Sequence, residues 1–210
     1  MTLGKRLTPL AIAVAALGVM PGAACAQEEF ASDAARLTAA LKLHAGQTVA
    51  DIGAGRGQLT LELARLVGPA GRVYATELDG DRLRDLRTAA TEGGAKNITV
   101  VEARTTETNL PEGCCDVLVL RRVYHHFDDP GKMNASMLRS LKPGGFLAVI
   151  DFTPDSAEST DPAGRDQGDQ HGVTPETVTR ELGEAGFDPV RVAGNGGTDR
   201  FMVVARRPEP

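Results

Sequence analysis

Asp51-Ile52-Gly53-Ala54-Gly55-Arg56-Gly57 sets three glycines on alternate residues immediately after the apolar run Thr48–Ile52 and immediately before a helical pattern, Gln58–Val67, that ends at Gly68-Pro69. A glycine turn joining a strand to a helix lets backbone N–H groups approach a ligand closely, and the helix N-terminus favours an anion there. The dinucleotide fingerprint wants its third glycine three residues after the second, where this chain has Gln58. The loop alone is therefore a weak signal. A second element strengthens it: Glu77, 20 positions beyond Gly57 at the end of the next apolar run, is placed to accept both hydroxyls of a ribose, with Asp79 as its backup.

Outward from this turn the chain alternates strand and helix patterns. A helix is predicted from about Ser32 through Leu43, with Ala34, Leu37, Ala40 and Leu41 on one face and Gly46 as its stop. Strand Arg72–Leu78, helix Asp81–Thr91, strand Ile98–Ala103, strand Asp116–Leu120, helix Pro130–Leu141, a Lys142–Gly145 turn and strand Phe146–Phe152 follow. Helices between strands this short require parallel crossovers and a sheet covered on both faces. Thr153–Gly172 is polar and rich in Gly and Asp, a long loop of the kind that forms functional lids. Helix Pro175–Ala185 then leads to strands Pro189–Ala193 and Phe201–Arg206, separated by a turn, Gly194–Asp199, short enough for a hairpin. No repeat or second domain interrupts the series.

Composition agrees with one soluble domain and a short appendage: 210 residues, 41% hydrophobic and 24% charged, which excludes collagen, coiled coil and wholesale disorder. A net charge of −5 without a long basic run offers no footprint for a phosphate backbone, so no nucleic-acid partner is expected. The three cysteines, Cys25, Cys114 and Cys115, cannot build a disulfide framework. Cys114 and Cys115 are neighbours, which rarely bridge, and buried packing is their expected role. No zinc spacing occurs, and no metal is assigned.

Residues 1–26 read as a secretory signal peptide. Lys5 and Arg6 form a positive start, Leu7–Met20 is uncharged and mostly apolar, and Ala24-Cys25-Ala26 supplies the small residues of a cleavage site before Gln27. An uncleaved anchor is the alternative, but Pro9, Gly18, Pro21 and Gly22 break the segment, so no stable membrane span is expected after cleavage. The product would be periplasmic or secreted. Gly22-Ala23-Ala24-Cys25 leaves a second route, lipid anchoring through Cys25, although Gly22 stands where a Leu or Val is expected. Cleavage removes two cations and no acids, giving 21 − 28 = −7 over residues 27–210.

The series Asp51–Gly57, Tyr74-Ala75-Thr76-Glu77-Leu78-Asp79, Asp116–Leu120 followed by Val123-Tyr124-His125-His126-Phe127, and Leu141–Leu147 resembles the successive motifs of class I S-adenosylmethionine-dependent methyltransferases. The likeness runs through roughly residues 33–206, and its specificity comes from the order and spacing of the motifs. It implies a methyltransferase domain over 27–210 with an α/β, Rossmann-like, doubly wound seven-stranded sheet of order 3-2-1-4-5-7-6, strand 7 antiparallel. It also implies the cofactor S-adenosylmethionine, with Gly53 and Gly55, and Ala54 between them, at its methionine part, Asp51 at its amino group, Glu77 on its ribose and Leu78 packed on its adenine. Family members often place an Asp after the third strand for the adenine amine. Ala103 and Arg104 occupy that place here, leaving Arg104, Thr105 or a backbone carbonyl at the adenine.

Methyl transfer from a sulfonium is an in-line displacement in which a protein helps chiefly by positioning and by excluding water, and a general base depends on the acceptor. Tyr124, His125 and His126 follow the fourth strand at the carboxyl edge of the sheet, where such folds bind ligands. Imidazole has the pKa range to deprotonate a hydroxyl or amine. Two adjacent histidines cannot both point into one pocket from an extended segment, so a structural role is expected for at least one of them. His171, in the polar loop, faces either substrate or solvent. Arg121 and Arg122 could orient a carboxylate of cofactor or substrate, with Arg121 assigned to the cofactor. Their alternative is ion pairing with Asp128, Asp129 or Asp151. Asp151, at the tip of the fifth strand, is a third candidate base unless those arginines hold it.

The expected activity is methyl transfer to an unidentified small-molecule acceptor. The alternative is a catalytically degenerate S-adenosylmethionine-binding module of the exported compartment. A nicotinamide-dependent oxidoreductase is disfavoured by the glycine spacing and the lack of a Tyr-x-x-x-Lys pair. Neither the acceptor nor the oligomeric state is marked by any motif. If the leader is cleaved, protein recovered from the native cell envelope is expected to have the mass of a chain beginning at Gln27, or a lipid-modified Cys25 at its start. A cytosolic product starting at Met1 would exclude export.

Overall fold

The computed structural model describes residues 21–195 and 200–209. The charged start and apolar run of the leader, residues 1–20, and the centre of the expected last hairpin, residues 196–199, lie outside them.

Seven strands form one sheet: β1 (Thr48–Ile52), β2 (Arg72–Glu77), β3 (Ile98–Glu102), β4 (Cys115–Arg121), β5 (Leu141–Phe152), β6 (Val190–Asn195) and β7 (Arg200–Arg206). Their order is β3-β2-β1-β4-β5-β7-β6. The first five run parallel, and β7 lies antiparallel between β5 and β6. This is the expected α/β Rossmann-like architecture. The helices are α1 (Pro21–Leu41), α2 (Gln58–Val67), α3 (Gly80–Glu92), α4 (Pro130–Ser140) and α5 (Pro175–Glu184).

Strand alternation divides the core in two. Val49, Val73, Val117, Val119, Ala148, Ile150 and Val204 point to the face covered by α1 and α2, where Leu37, Leu41, Leu59 and Leu63 meet them. Ala50, Ile52, Leu118, Leu120, Leu147, Val149 and Val203 point to the opposite face, against Met133, Met137, Val178 and Leu182 of α4 and α5. Because side chains on a strand alternate with period two, a run apolar at every position is stable only between two layers of helix.

Three boundaries differ from the sequence reading. Helix α1 begins at Pro21 rather than near Ser32, and so crosses the expected cleavage position; it ends where Lys42 takes a left-handed φ of 54°. Strand β5 begins at Leu141, absorbing the Lys142–Gly145 turn. Its register against β4 jumps from Cys115↔Leu141 to Val117↔Phe146, so the extra residues bulge from a continuous pairing. The 153–172 loop contains two short 3₁₀ turns, Pro162–Gly164 and Gly168–Gln170. It is pinned by buried Arg165, whose guanidinium donates to Glu181 Oε1 at 2.7 Å and pairs with Glu158. The cysteine expectation is corrected in one respect, since Cys115 is buried and Cys114 packs against the same core, as expected. Cys114 and Cys115, whose Cα atoms are only 3.8 Å apart as chain neighbours, are paired as a disulfide at the start of β4, at the amino edge of the sheet.

The carboxyl edge is closed by charge. Buried Asp33 of α1 accepts from Arg121 Nε at 2.7 Å and Arg200 Nη2 at 2.8 Å, while Glu29 Oε1 accepts from Arg122 Nη2 at 2.9 Å and Arg200 Nη1 at 2.6 Å. The Arg121 guanidinium also lies 4.2 Å over the Phe30 ring. Neither Arg121 nor Arg122 pairs with Asp128, Asp129 or Asp151. The reason is reach: α1 lays its carboxylates across the ends of β4 and β7. Removing one partner of a buried ion pair strands the others without compensation. Asp33→Ala is therefore expected to lower unfolding free energy by about 3–5 kcal/mol in urea denaturation, whereas a loss near zero would mean the cluster is solvated and passive.

Candidate functional site

The sheet reverses its strand order between β1 and β4, and open α/β sheets bind ligands outside the strand ends at that reversal. A cavity of about 370 Å³ opens there. Strand ends supply its walls: Gly53 after β1, Glu77 and Leu78 at β2, Ala103 and Arg104 after β3, Arg122, Val123 and His126 after β4. Asp166 reaches it from the loop after β5.

The glycine turn is left-handed at Gly53, Gly55 and Gly57, with φ of 68°, 56° and 85°. Gly53 is the tight position, since a Cβ there would come 2.4 Å from Val123 Cγ2, whereas the space beside Gly55 is open. Glu77, only 6% exposed, ties this turn to the next one. Its Oε2 accepts from Gly55 N at 2.9 Å and its Oε1 from Leu78 N at 2.8 Å and Asp79 N at 3.2 Å. Asp79, the backup, is engaged as the cap of α3, accepting from the Asp81 and Arg82 amides. Those backbone bonds, Arg82's first, hold its carboxyl below the usual range.

Asp51 lies just behind the cavity wall at the end of β1, 2% exposed, and Thr60 Oγ1 of α2 donates to its Oδ2 at 2.6 Å. Burial pushes its pKa up to about 6 against the lowering effects of Thr60 and Arg121. Ala54 is also behind the wall, packed with Ala75 and Leu86. Leu78 is 51% exposed, an apolar surface left open on the cavity. Arg121 is the clear departure: it does not line the cavity, being committed to Asp33. Arg122 takes its place there, because a left-handed φ of 55° at Arg122 turns the chain as β4 ends and sends the two side chains different ways.

The histidines follow. Tyr124–His126 form a 3₁₀ turn rather than an extended segment, so successive side chains fan by about 120° and do not alternate. The rings of His125 and His126 consequently sit 4.0 Å apart, yet only His126 lines the cavity, and His125 takes the structural role expected of at least one of them. His125 is buried, its Nδ1 2.8 Å from Asp151 Oδ1. Asp151 is itself buried and accepts from the Tyr124, His125 and Phe152 amides, so it positions the turn and does not face the cavity as a base. Tyr124 donates its hydroxyl to Glu181, and burial, reinforced by that carboxylate, raises its pKa far from neutrality. His126 is partly exposed and lines the cavity; burial of the ring, then the neighbouring His125, keeps it below the ordinary imidazole range.

His171 is brought in from the polar loop, its Nε2 3.0 Å from His125 Nε2. Asp166 Oδ1 lies 3.0 Å from His126 Nδ1. Asp166, Arg165 and Val123 were not singled out from sequence. Nothing in the local pattern distinguishes Arg165 or Asp166 from the other charges of that loop, and their roles arise from long-range pairing.

Residues 50–149 match the family model of a methyltransferase domain. The ubiquinone/menaquinone biosynthesis C-methyltransferase of a Marinomonas species is 33% identical over 117 residues, covering 55% of this chain and 47% of that protein. The chain thus spans about half the length of the curated relatives it matches. Among solved structures, an S-adenosylmethionine-dependent methyltransferase from Aquifex aeolicus superposes with a TM-score of 0.70 at 23% identity, over 86% of this chain and 98% of that one. Phosphoethanolamine N-methyltransferase 2 of Haemonchus contortus, in complex with S-adenosyl-L-methionine, gives 0.70 at 14% identity, over 85% of this chain and 53% of that one.

The Asp51 environment has a measurable consequence. With a folded pKa of about 6 above the ordinary carboxyl value of 3.8, the native state holds more protons than the unfolded state between those values, so this group's contribution makes stability fall as pH rises through the window. Asp51→Asn is expected to remove that slope, gaining up to about 3 kcal/mol relative to the parent between pH 4 and pH 7.5. Parallel stability profiles of the two proteins would show that Asp51 is not held protonated.

Proposed function

We propose that this chain, a class I S-adenosylmethionine-dependent methyltransferase by its domain and fold, transfers the methyl group to a small-molecule acceptor at the mouth of the 370 Å³ cavity. The observation that carries the reading is the Glu77 carboxylate, held by three backbone amides at the cavity floor beside buried Asp51. S-adenosylmethionine, when bound, supplies an electrophilic methyl on a sulfonium.

The residues present fit that cofactor. Glu77 Oε2, bonded only by the Gly55 amide, retains an acceptor site for a ribose hydroxyl, whereas Oε1 already accepts from the Leu78 and Asp79 amides. Leu78 offers an apolar face to the adenine, and Arg104 borders the same end. Asp51 is a buried carboxyl whose ionised form lacks a close cation, so an ammonium group arriving at the Gly53-Ala54-Gly55 turn would be favoured there. Of the two arginines after β4, Arg122 and not Arg121 lines the cavity, beside Arg82 and Arg104, and it would share its charge between Glu29 and a cofactor or substrate carboxylate.

His126 is the group placed to take a proton from an acceptor hydroxyl or amine. It borders the cavity and is held toward the neutral form. His125 and Asp151 position it. The leader at residues 1–26 supports a periplasmic or secreted location, or a lipid anchor at Cys25.

Calorimetry with S-adenosylmethionine tests the cofactor site. Glu77→Ala is expected to weaken binding by about 1–3 kcal/mol, the value of hydrogen bonds to a charged group, and an unchanged affinity would place the ligand elsewhere. Methyl transfer is tested with a panel of small hydroxyl- and amine-bearing compounds. His126→Ala is expected to cut turnover by on the order of 10²-fold while cofactor affinity holds. Tight binding without any turnover across the panel would favour a binding module over an enzyme.

A further inference from the structure

Three of the chain's four histidines converge on one point. They come from two separate stretches of the sequence: His125 and His126 from the 3₁₀ turn after β4, His171 and the accompanying Asp166 from the loop after β5. One ligating atom from each of the four lies within 4.8 Å of every other. His125 Nε2 and His171 Nε2 face each other at 3.0 Å, His126 Nδ1 and Asp166 Oδ1 are also 3.0 Å apart, and Asp166 Oδ1 is 3.7 Å from His171 Nε2. Ligands about 2.0–2.1 Å from a common ion stand roughly 3.0–3.4 Å from one another, so the shorter spacings are those of a coordination shell.

We propose that His125, His126, His171 and Asp166 form a binding site for a divalent transition-metal ion at the rim of the cavity.

The surroundings of the four are built as metal sites are built. Buried Asp151 faces His125 Nδ1 at 2.8 Å, and its other contacts are backbone amides that donate to it, so it acts as the acceptor for the Nδ1 proton. That fixes the tautomer in which Nε2 presents a lone pair toward His171 and Asp166, the carboxylate–histidine arrangement that orients metal ligands. The loop partners are held as well. Arg165, next to Asp166, is buried between Glu158 and Glu181, the Val173 amide donates to Phe152 O at 3.0 Å, and Gly172 lies where a Cβ would come 2.8 Å from that carbonyl. His171 is thus carried on a fixed backbone.

Three imidazoles and one carboxylate select the ion's class. Magnesium and calcium prefer all-oxygen shells, whereas borderline ions such as Zn²⁺, Co²⁺ and Ni²⁺ take imidazole nitrogen readily. Cysteine sulfur that would favour a softer ion is not at the site, Cys114 and Cys115 being paired as a disulfide at the amino edge of the sheet. Because His126 and Asp166 also line the cavity, the ion would sit where an oxygen-bearing acceptor enters, and His126 would then be a ligand, its role as proton acceptor belonging to the metal-free chain. The site itself rests on side-chain geometry and does not depend on methyl transfer.

The test is titration of the chelator-treated full chain with Zn²⁺ and with Co²⁺, followed by calorimetry and by the visible spectrum of the cobalt form. One ion per chain is expected, with a cobalt spectrum of nitrogen and oxygen ligands and no thiolate band. His171→Ala and Asp166→Ala replace partly exposed side chains, so their folding is checked by thermal melting; each is expected to weaken binding at least about tenfold, since even outer-shell partners of metal ligands are worth 10–100-fold. His44→Ala, at the remaining histidine, should leave it unchanged. Absence of stoichiometric binding, a thiolate band, or full affinity retained in both folded loop variants would overturn the site.

Discussion

The Glu77 carboxylate ties the glycine turn after β1 to the turn after β2, beside the bond from the Ala54 amide to Thr76 O. It accepts from the Gly55 amide on one side and from the Leu78 and Asp79 amides on the other, at the end of a strand whose neighbours are all parallel. Parallel strands deliver their carboxyl ends to one edge together, and there the ladder runs out and backbone amides must find other acceptors. A buried carboxylate answers that need three times over. The shape of the cavity follows from it, since the glycine turn and the β2–α3 turn form adjacent walls. Loss of that one side chain would leave donors unpaired on both sides.

The same edge is roofed by longer-range pairings of opposite charge. Asp33 and Glu29 bring α1 onto Arg121, Arg122 and Arg200, while Arg165 between Glu158 and Glu181 fixes the loop after β5. Both sets are partly or wholly buried, so they act at short range and in weakened dielectric screening. They also explain why the loop, which is polar enough to suggest a mobile lid, is instead anchored. Its apolar content is low because its packing is ionic and hydrogen-bonded.

Between these two roofs lies the His125 turn. Asp151 sits at the end of β5, where a strand would normally present its last side chain to ligand. The 3₁₀ turn of Tyr124–His126 folds back over it, and the carboxylate is consumed by backbone amides and the His125 ring. The effect is to hand the exposed role to His126 and to aim His125 at the loop. Chemistry at this edge therefore belongs to residues oriented by a buried acid rather than to the acid.

The sequence by itself determined the architecture: alternating strands and helices, glycines where left-handed turns are needed, an acidic residue ending β2, and the motif series that names the sheet order. Those features are local, because period-two and period-3.6 patterns and the steric freedom of glycine act within a few residues. Strand carboxyl ends, the Glu77 position and the last hairpin were legible for that reason, while the sheet order and its antiparallel seventh strand were what the family resemblance implied. What only the tertiary structure decided was which charges meet. Arg121 and Arg122 are neighbours of one type and both pair with α1, yet only Arg122 also lines the cavity. Asp151, read as a base unless Arg121 or Arg122 held it, is buried and held by backbone amides and the His125 ring, and His171 with Asp166 joined two histidines from the far side of β5. Pairing across such separations depends on where folded elements place their ends, and a side chain's identity carries no record of that distance.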